Sequence, residues 1–266
     1  MIIFAPEGMY PPAGMFTIPH LVSLFICLVM IVCSILLFKN ISIEQLKKQT
    51  FKIAITITIL EIIKITYKFV VCDYKFTDFN HWVPLYFCSI FIFASWFSLS
   101  KNKFISRMGT AFITCGCLTG GLSFLIVPTT SLQMVPIWHF LSIHSMTFHS
   151  LMVYLGFMYI YKGFFNKNSF KYFPSDKALI EDITPSLIMN QIFHCNLMLV
   201  REPFNMPFKI VDIIYENAPW LYPLLASLVY IFVPYSISYL INKLITKIKE
   251  NNSTNILIKE RTKNSN

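Results

Sequence analysis

Along the chain, long apolar stretches alternate with short polar ones, and the apolar stretches have the length of membrane spans. A helix crossing a bilayer's hydrocarbon core needs roughly 17 to 25 largely apolar residues. Seven runs fit: Phe16–Phe38, Phe51–Val71, Trp82–Leu99, Met108–Val127, Phe140–Tyr161, Ile183–Val200 and Trp220–Ile241. Ile183–Val200 is the least apolar, since it holds Asn190, Gln191, His194 and Asn196. The connections are short and no internal repeat is visible. The pattern predicts an all-α polytopic bundle of about seven spans over residues 16–241. A short outer segment (residues 1–15) precedes it, and a basic cytoplasmic tail (residues 242–266), expected to be disordered, follows it.

Composition supports this pattern. Only 13% of residues are charged and 55% are hydrophobic, with a mean hydropathy of +0.60, whereas soluble domains carry about 25% charged residues. That excludes an ordinary soluble enzyme and places the protein in a cell membrane. Richness in Ile, Lys, Asn and Phe suits an AT-rich bacterial genome. The segment Met1–Met15 has no basic region ahead of an apolar core, so no cleavable signal peptide is expected.

The +9 net charge sets the expected orientation. Lys39, Lys47, Lys48 and Lys52, then Lys101, Lys103 and Arg107, then Lys162, Lys167, Lys171 and Lys177 fall in alternate connections, and the tail is basic as well. Positively charged loops stay inside, which puts the N-terminus outside and the C-terminus inside. These cations are not interleaved with aromatics in a nucleic-acid-binding module. Membrane lipids are therefore the expected partners and nucleic acid is not. Oligomeric state is not legible.

Most of the seven cysteines lie within spans, and Cys115 and Cys117 have neither zinc-knuckle nor redox-pair spacing, so no disulfide framework is expected. Walker, zincin and dinucleotide fingerprints are absent. No cofactor or metal is expected.

Candidate chemistry comes from polar residues inside spans, which are costly there and face the bundle interior, a partner or water. Glu61, Lys64 and Lys68 share one helical face. They fit either a ligand site or an internal ion pair with Lys68 reaching up to the interface. His139, His144 and His149 are spaced by five residues, about 140° of rotation, so they do not form a metal site on one helix; Ser142, Ser145 and His149 form a stripe instead. On a continuous sixth helix Asn190, His194 and Arg201 would fall within about 40°, and Pro203 and Pro207 would end it. Asp212 and Glu216 would then sit on a short amphipathic piece of an outer connection. With His20, His81, Tyr86 and Cys88 these residues predict a shared polar cavity in the outer half of the bundle.

Three segments, "FTIPHL", "VPLYFCSI" and "HCNLMLVREPFNMPFKIVDIIYENAPWLYP", resemble the YwaF-like family of bacterial integral membrane proteins, over nearly the whole chain. More distantly the chain is similar to animal transmembrane proteins regarded as cysteine-dependent phospholipid acyltransferases. The Pro-Cys-His element of those proteins falls on Pro84, Leu85 and Tyr86, and their later histidine on His149. That resemblance implies acyl transfer, with Cys88 standing in for the displaced nucleophile and His149 or His144 as base. Glu61 would orient the base. Lys64, Lys68, Arg201, His194, Asn190, His20 and Tyr86 would bind an anionic lipid-like ligand. The residues leave three readings open: an acyl-transferring enzyme, a non-catalytic transporter or receptor for an anionic lipid or solute, and a membrane assembly partner.

Overall fold

A computed structural model describes residues 2–165, 188–204 and 206–263, with side chains up to residue 251. Among these residues the secondary structure is helical and no strand occurs. The helices are α1 (Ile18–Phe38), α2 (Ile43–Val70), α3 (Phe79–Trp82), α4 (Ile90–Ser98), α5 (Lys103–Phe112), α6 (Leu118–Ile126), α7 (Phe140–Tyr161), α8 (Lys209–Asn217) and α9 (Leu221–Lys263). A π turn over Ile113–Cys117 joins α5 to α6 in one rod.

Local chemistry explains where these helices begin. Ser42 and Gln45 form a reciprocal capping box at α2: the Gln45 N–H donates to Ser42 Oγ (3.1 Å), and the Ser42 N–H donates to Gln45 Oε1 (2.8 Å), satisfying two otherwise orphaned donors. Asn102 caps α5 by accepting from the Phe104 N–H at 2.9 Å. At α7 the cap is an imidazole, His139 Nδ1, which accepts from the Leu141 N–H at 3.1 Å.

Among the described residues, three helical stretches are long and apolar enough to cross a membrane: Ile18–Phe38, Lys103–Ile126 and Leu221–Asn251. The α5–α6 rod is central and mostly buried, whereas α1 and α9 stand at the periphery with most of their surface open. α2 and α7 are comparably long but carry the polar residues of interest. α7 occupies the middle, touching α1, α2, α6 and α9. Its approach to α6 depends on small residues. A Cβ added at Gly121 would stand 2.8 Å from the His149 carbonyl oxygen, and one at Gly156 would stand 2.8 Å from the Leu118 nitrogen. Packing through such residues is how helices associate where hydrophobic exclusion offers little drive.

Two of the expected spans are broken. Within Trp82–Leu99 the backbone is extended at Val83 and Tyr86, so the regular helix is confined to Ile90–Ser98. Pro84 lies between them, and proline disfavours a helical residue before it. The described part of Ile183–Val200 is α-helical only at residues 188–192, with a single 3-10 turn at Leu197–Leu199. The chain then turns through left-handed His194 (φ 54°), Met198 (φ 59°) and Leu199 (φ 54°). Residues 183–187 and the cations Lys167, Lys171 and Lys177 lie outside the described residues. At the C-terminus, where residues 242–266 are expected to be disordered, helical backbone runs on to Lys263. The short amphipathic piece carrying Asp212 and Glu216 is α8.

Candidate functional site

The α2 and α7 faces meet in a buried cluster. Glu61 and Lys64 are one turn apart on α2, and Glu61 Oε1 lies 2.7 Å from Lys64 Nζ. The contact is close but poorly aligned as a hydrogen bond. His144, one of the buried residues of α7, places Nε2 3.8 Å from Glu61 Oε2. His149, also buried, donates from Nδ1 to the Ser145 carbonyl at 2.7 Å and stacks on Phe124 with ring centroids 3.6 Å apart. The Lys64 ammonium is near enough to act electrostatically on both imidazoles.

This cluster is incompletely satisfied. Neither nitrogen of His144, nor Nε2 of His149, has a hydrogen-bond partner among the described residues. With its Nδ1 proton committed to Ser145, His149 presents a bare acceptor at Nε2. Each such buried group costs about 1–3 kcal/mol if left unmet. Together they offer an ammonium, an imidazole donor and two imidazole acceptors beside one carboxylate. That set matches an anion that also carries a hydroxyl or a proton.

The remaining candidates are employed elsewhere. Lys68 is buried against Glu7 of the N-terminal segment, and the carboxylate also accepts from the Tyr74 hydroxyl at 3.3 Å. Burial first, and then the Glu7 charge, holds the Tyr74 phenol well above its usual pKa. His20 is saturated: its Nδ1 accepts from the Phe16 N–H at 3.0 Å and its Nε2 donates to the Leu125 carbonyl at 2.9 Å. Tyr86 donates to the Asn80 carbonyl at 2.9 Å. Asn190 closes the broken sixth segment on itself, accepting from the Leu197 N–H at 2.7 Å and donating to the Leu197 carbonyl at 3.0 Å. The expected Asn190–His194–Arg201 face therefore does not form, because no helix runs through all three. Exposed His194 lines a small polar cleft of about 190 Å³ with Asp78, Asn80 and His81. Arg201 donates its backbone N–H to Asn196 Oδ1 at 3.1 Å.

Cys88 is not paired with a base. Its thiol points at the Gly120 carbonyl, 4.0 Å away, and neither His144 nor His149 hydrogen-bonds to it. A nucleophilic thiol requires such a partner within reach. Among the described residues no group of three His, Cys, Asp or Glu side chains is placed to hold a metal ion.

Two roles were not read from the sequence. Glu7 is the counter-ion of Lys68, and His139 is an anchor, its Nε2 donating to the Ala5 carbonyl at 2.9 Å. Glu7 is a lone carboxylate in "FAPEGMYPP". No local pattern in the sequence ties it to Lys68, 61 residues away.

Comparison with family models, with curated proteins and with solved structures finds no match to this chain.

Proposed function

We propose that this chain is a seven-span protein of the bacterial cell membrane, N-terminus outside, that binds an anionic lipid-like ligand without covalent chemistry. The resemblance to the YwaF-like family belongs to the same reading. The observation that carries it is the unmet hydrogen-bonding capacity of His144 and His149 beside the Glu61–Lys64 pair. A purely structural pair would be expected to have its polar neighbours satisfied. Here Lys64 and a His144 N–H would grip the anionic oxygen, and His149 Nε2 would accept from a hydroxyl or acid proton on the same headgroup. Glu61 holds Lys64 in place and rejects a second negative charge.

The acyl-transfer reading requires Cys88 and an imidazole to act together, and their placement favours binding instead. Purified protein titrated with phosphatidylglycerol and with phosphatidylcholine tests the proposal. Lys64→Met and His144→Phe each remove one charged or polar contact, which is worth about 1.5–3 kcal/mol, or roughly tenfold to 150-fold in affinity. We expect losses of that size for phosphatidylglycerol and none for phosphatidylcholine. Equal affinities in wild type and both variants would refute the site. Loss of function in Cys88→Ala, with lipid binding intact, would return the enzyme reading.

A further inference from the structure

A second feature begins at the other end of α2 and runs along α7. α1, α7 and the start of α2 enclose an open-sided groove of about 530 Å³. Cys27, Met30 and Ile31 of α1, Ile53 of α2, and Met146 and Leu151 of α7 line it. It extends from Ser23 to Phe38, about 22 Å along α1 at the helical rise per residue. Hydroxyls on its walls are spent on backbone: Ser23 donates to the His20 carbonyl, Ser150 to the Met146 carbonyl and Ser142 to the Pro136 carbonyl, at 2.8, 2.7 and 2.9 Å. The groove therefore presents mainly carbon to an occupant.

One end is different. Gln49 and Lys52 reach the groove there beside Tyr154, whose hydroxyl donates to Gln49 Oε1 at 2.7 Å. Lys39 directly follows Phe38, and Lys162 donates to the Lys39 carbonyl at 2.7 Å. Glu44, the acid in the first turn of α2, is engaged by Lys48 at 2.8 Å. Lys52 thus lines one end of an apolar slot, the Lys162 ammonium lies on the backbone of Lys39 next to it, and the nearby acid of α2 is neutralised by Lys48.

We propose that this groove holds one acyl chain of an anionic phospholipid, with the phosphate of its headgroup at Lys52. The inference rests on α1 standing in hydrocarbon, where no water is at hand to fill an apolar slot and lipid tails are. Charge selects among the lipids: a phosphate headgroup with net negative charge meets Lys52, with the Lys162 ammonium close by, and a zwitterionic one brings its own cation against them. The site is distinct from the Glu61–His144 cluster, and neither needs the other.

Photo-crosslinking decides the matter. The full-length protein is reconstituted with phosphatidylglycerol carrying a diazirine in its acyl chain, or with matched phosphatidylcholine, and crosslinked residues are mapped by mass spectrometry. Phosphatidylglycerol should label Met30, Ile31, Met146 and Leu151 several-fold more than phosphatidylcholine does. Lys52→Gln, a change at an exposed position, should bring phosphatidylglycerol down to the phosphatidylcholine level. Leu151→Trp, which fills the slot, should abolish groove labelling by both. Equal labelling by the two lipids, or labelling spread over the open face of α1 at Phe25 and Leu37, overturns the groove proposal alone. No labelling anywhere on α1 overturns its placement in hydrocarbon instead.

Discussion

Glu7 and Lys68 show how far one residue's role can depend on a distant partner. Both side chains are about nine-tenths buried, so each charge is tolerable only while the other is present. Removing one partner of such a pair costs about 3–5 kcal/mol, whereas replacing both with apolar groups can be nearly neutral. Glu7→Gln should therefore lower the thermal transition of the purified protein markedly. Glu7→Gln combined with Lys68→Met should recover much of that loss. A double variant as unstable as the sum of the two singles would show that the pair is not coupled.

His81 adds a pH dependence of definite sign. It stacks on Tyr74 with centroids 3.9 Å apart. Burial, and then the Lys68 charge, holds its pKa below the ordinary value. The folded protein therefore binds this proton less readily than the unfolded chain does. The stability contributed by neutral His81 is present above the unfolded pKa of about 6.5 and is lost as pH falls below it. His81→Phe keeps a ring on Tyr74 and removes the titration, so its thermal transition should fall less than wild type between pH 7 and pH 5. Parallel curves would contradict the assignment.

At the scale of elements, the legible parts were those set by local physics. Phe140–Tyr161, read from hydrophobicity alone, is α7, and Phe16–Phe38 differs from α1 only by the turn that Thr17 and Pro19 impose. The Glu61–Lys64 pair was legible for the same reason, since residues three apart on a helix are neighbours. The Asn190–His194–Arg201 face was not, because its geometry presumed a helix. Asn190 instead spends its amide on Leu197, seven residues on, a contact that periodicity cannot anticipate. Glu7 was hidden likewise, its partner lying 61 residues away.

The α6–α7 contact can be tested directly. A methyl at Gly121 would stand 2.7 Å from Val153 Cγ2 as well as 2.8 Å from the His149 carbonyl. Overpacking of this kind costs about 1–3 kcal/mol, set against about 1 kcal/mol of improved helix propensity. Gly121→Ala should lower the thermal transition and disturb ligand affinity through His149. An unchanged or raised transition would mean that the two helices can move apart freely.

At the scale of the whole molecule, the described residues gather at one end of the bundle what the sequence assigned to one side of a membrane. The N-terminal segment docks there through Glu7 on Lys68 and Ala5 on His139. Asn196 of the broken sixth segment reaches the same end, its N–H donating to Asn80 Oδ1 at 2.7 Å. The orientation itself rests on the distribution of Lys and Arg. In a background without native cysteines, a reporter cysteine at Asp78 should label with an impermeant thiol reagent in intact cells. One at Asn102 should label only after permeabilisation. The reverse pattern would invert the topology and move this end of the bundle to the cytoplasm.

The π turn at Ile113–Cys117 has a consequence for how the bundle can vary. A π turn accommodates one residue more than an α turn, so every later position is set back by about 100° around the axis. The α5–α6 rod thus behaves as two rulers with separate zero marks. The first is indexed against α4, where a Cβ at Gly109 would meet the Ala94 carbonyl at 2.5 Å. The second is indexed against α7 at Gly121. The face that packs on α4 before the turn and the face that packs on α7 after it are thus set separately along one rod.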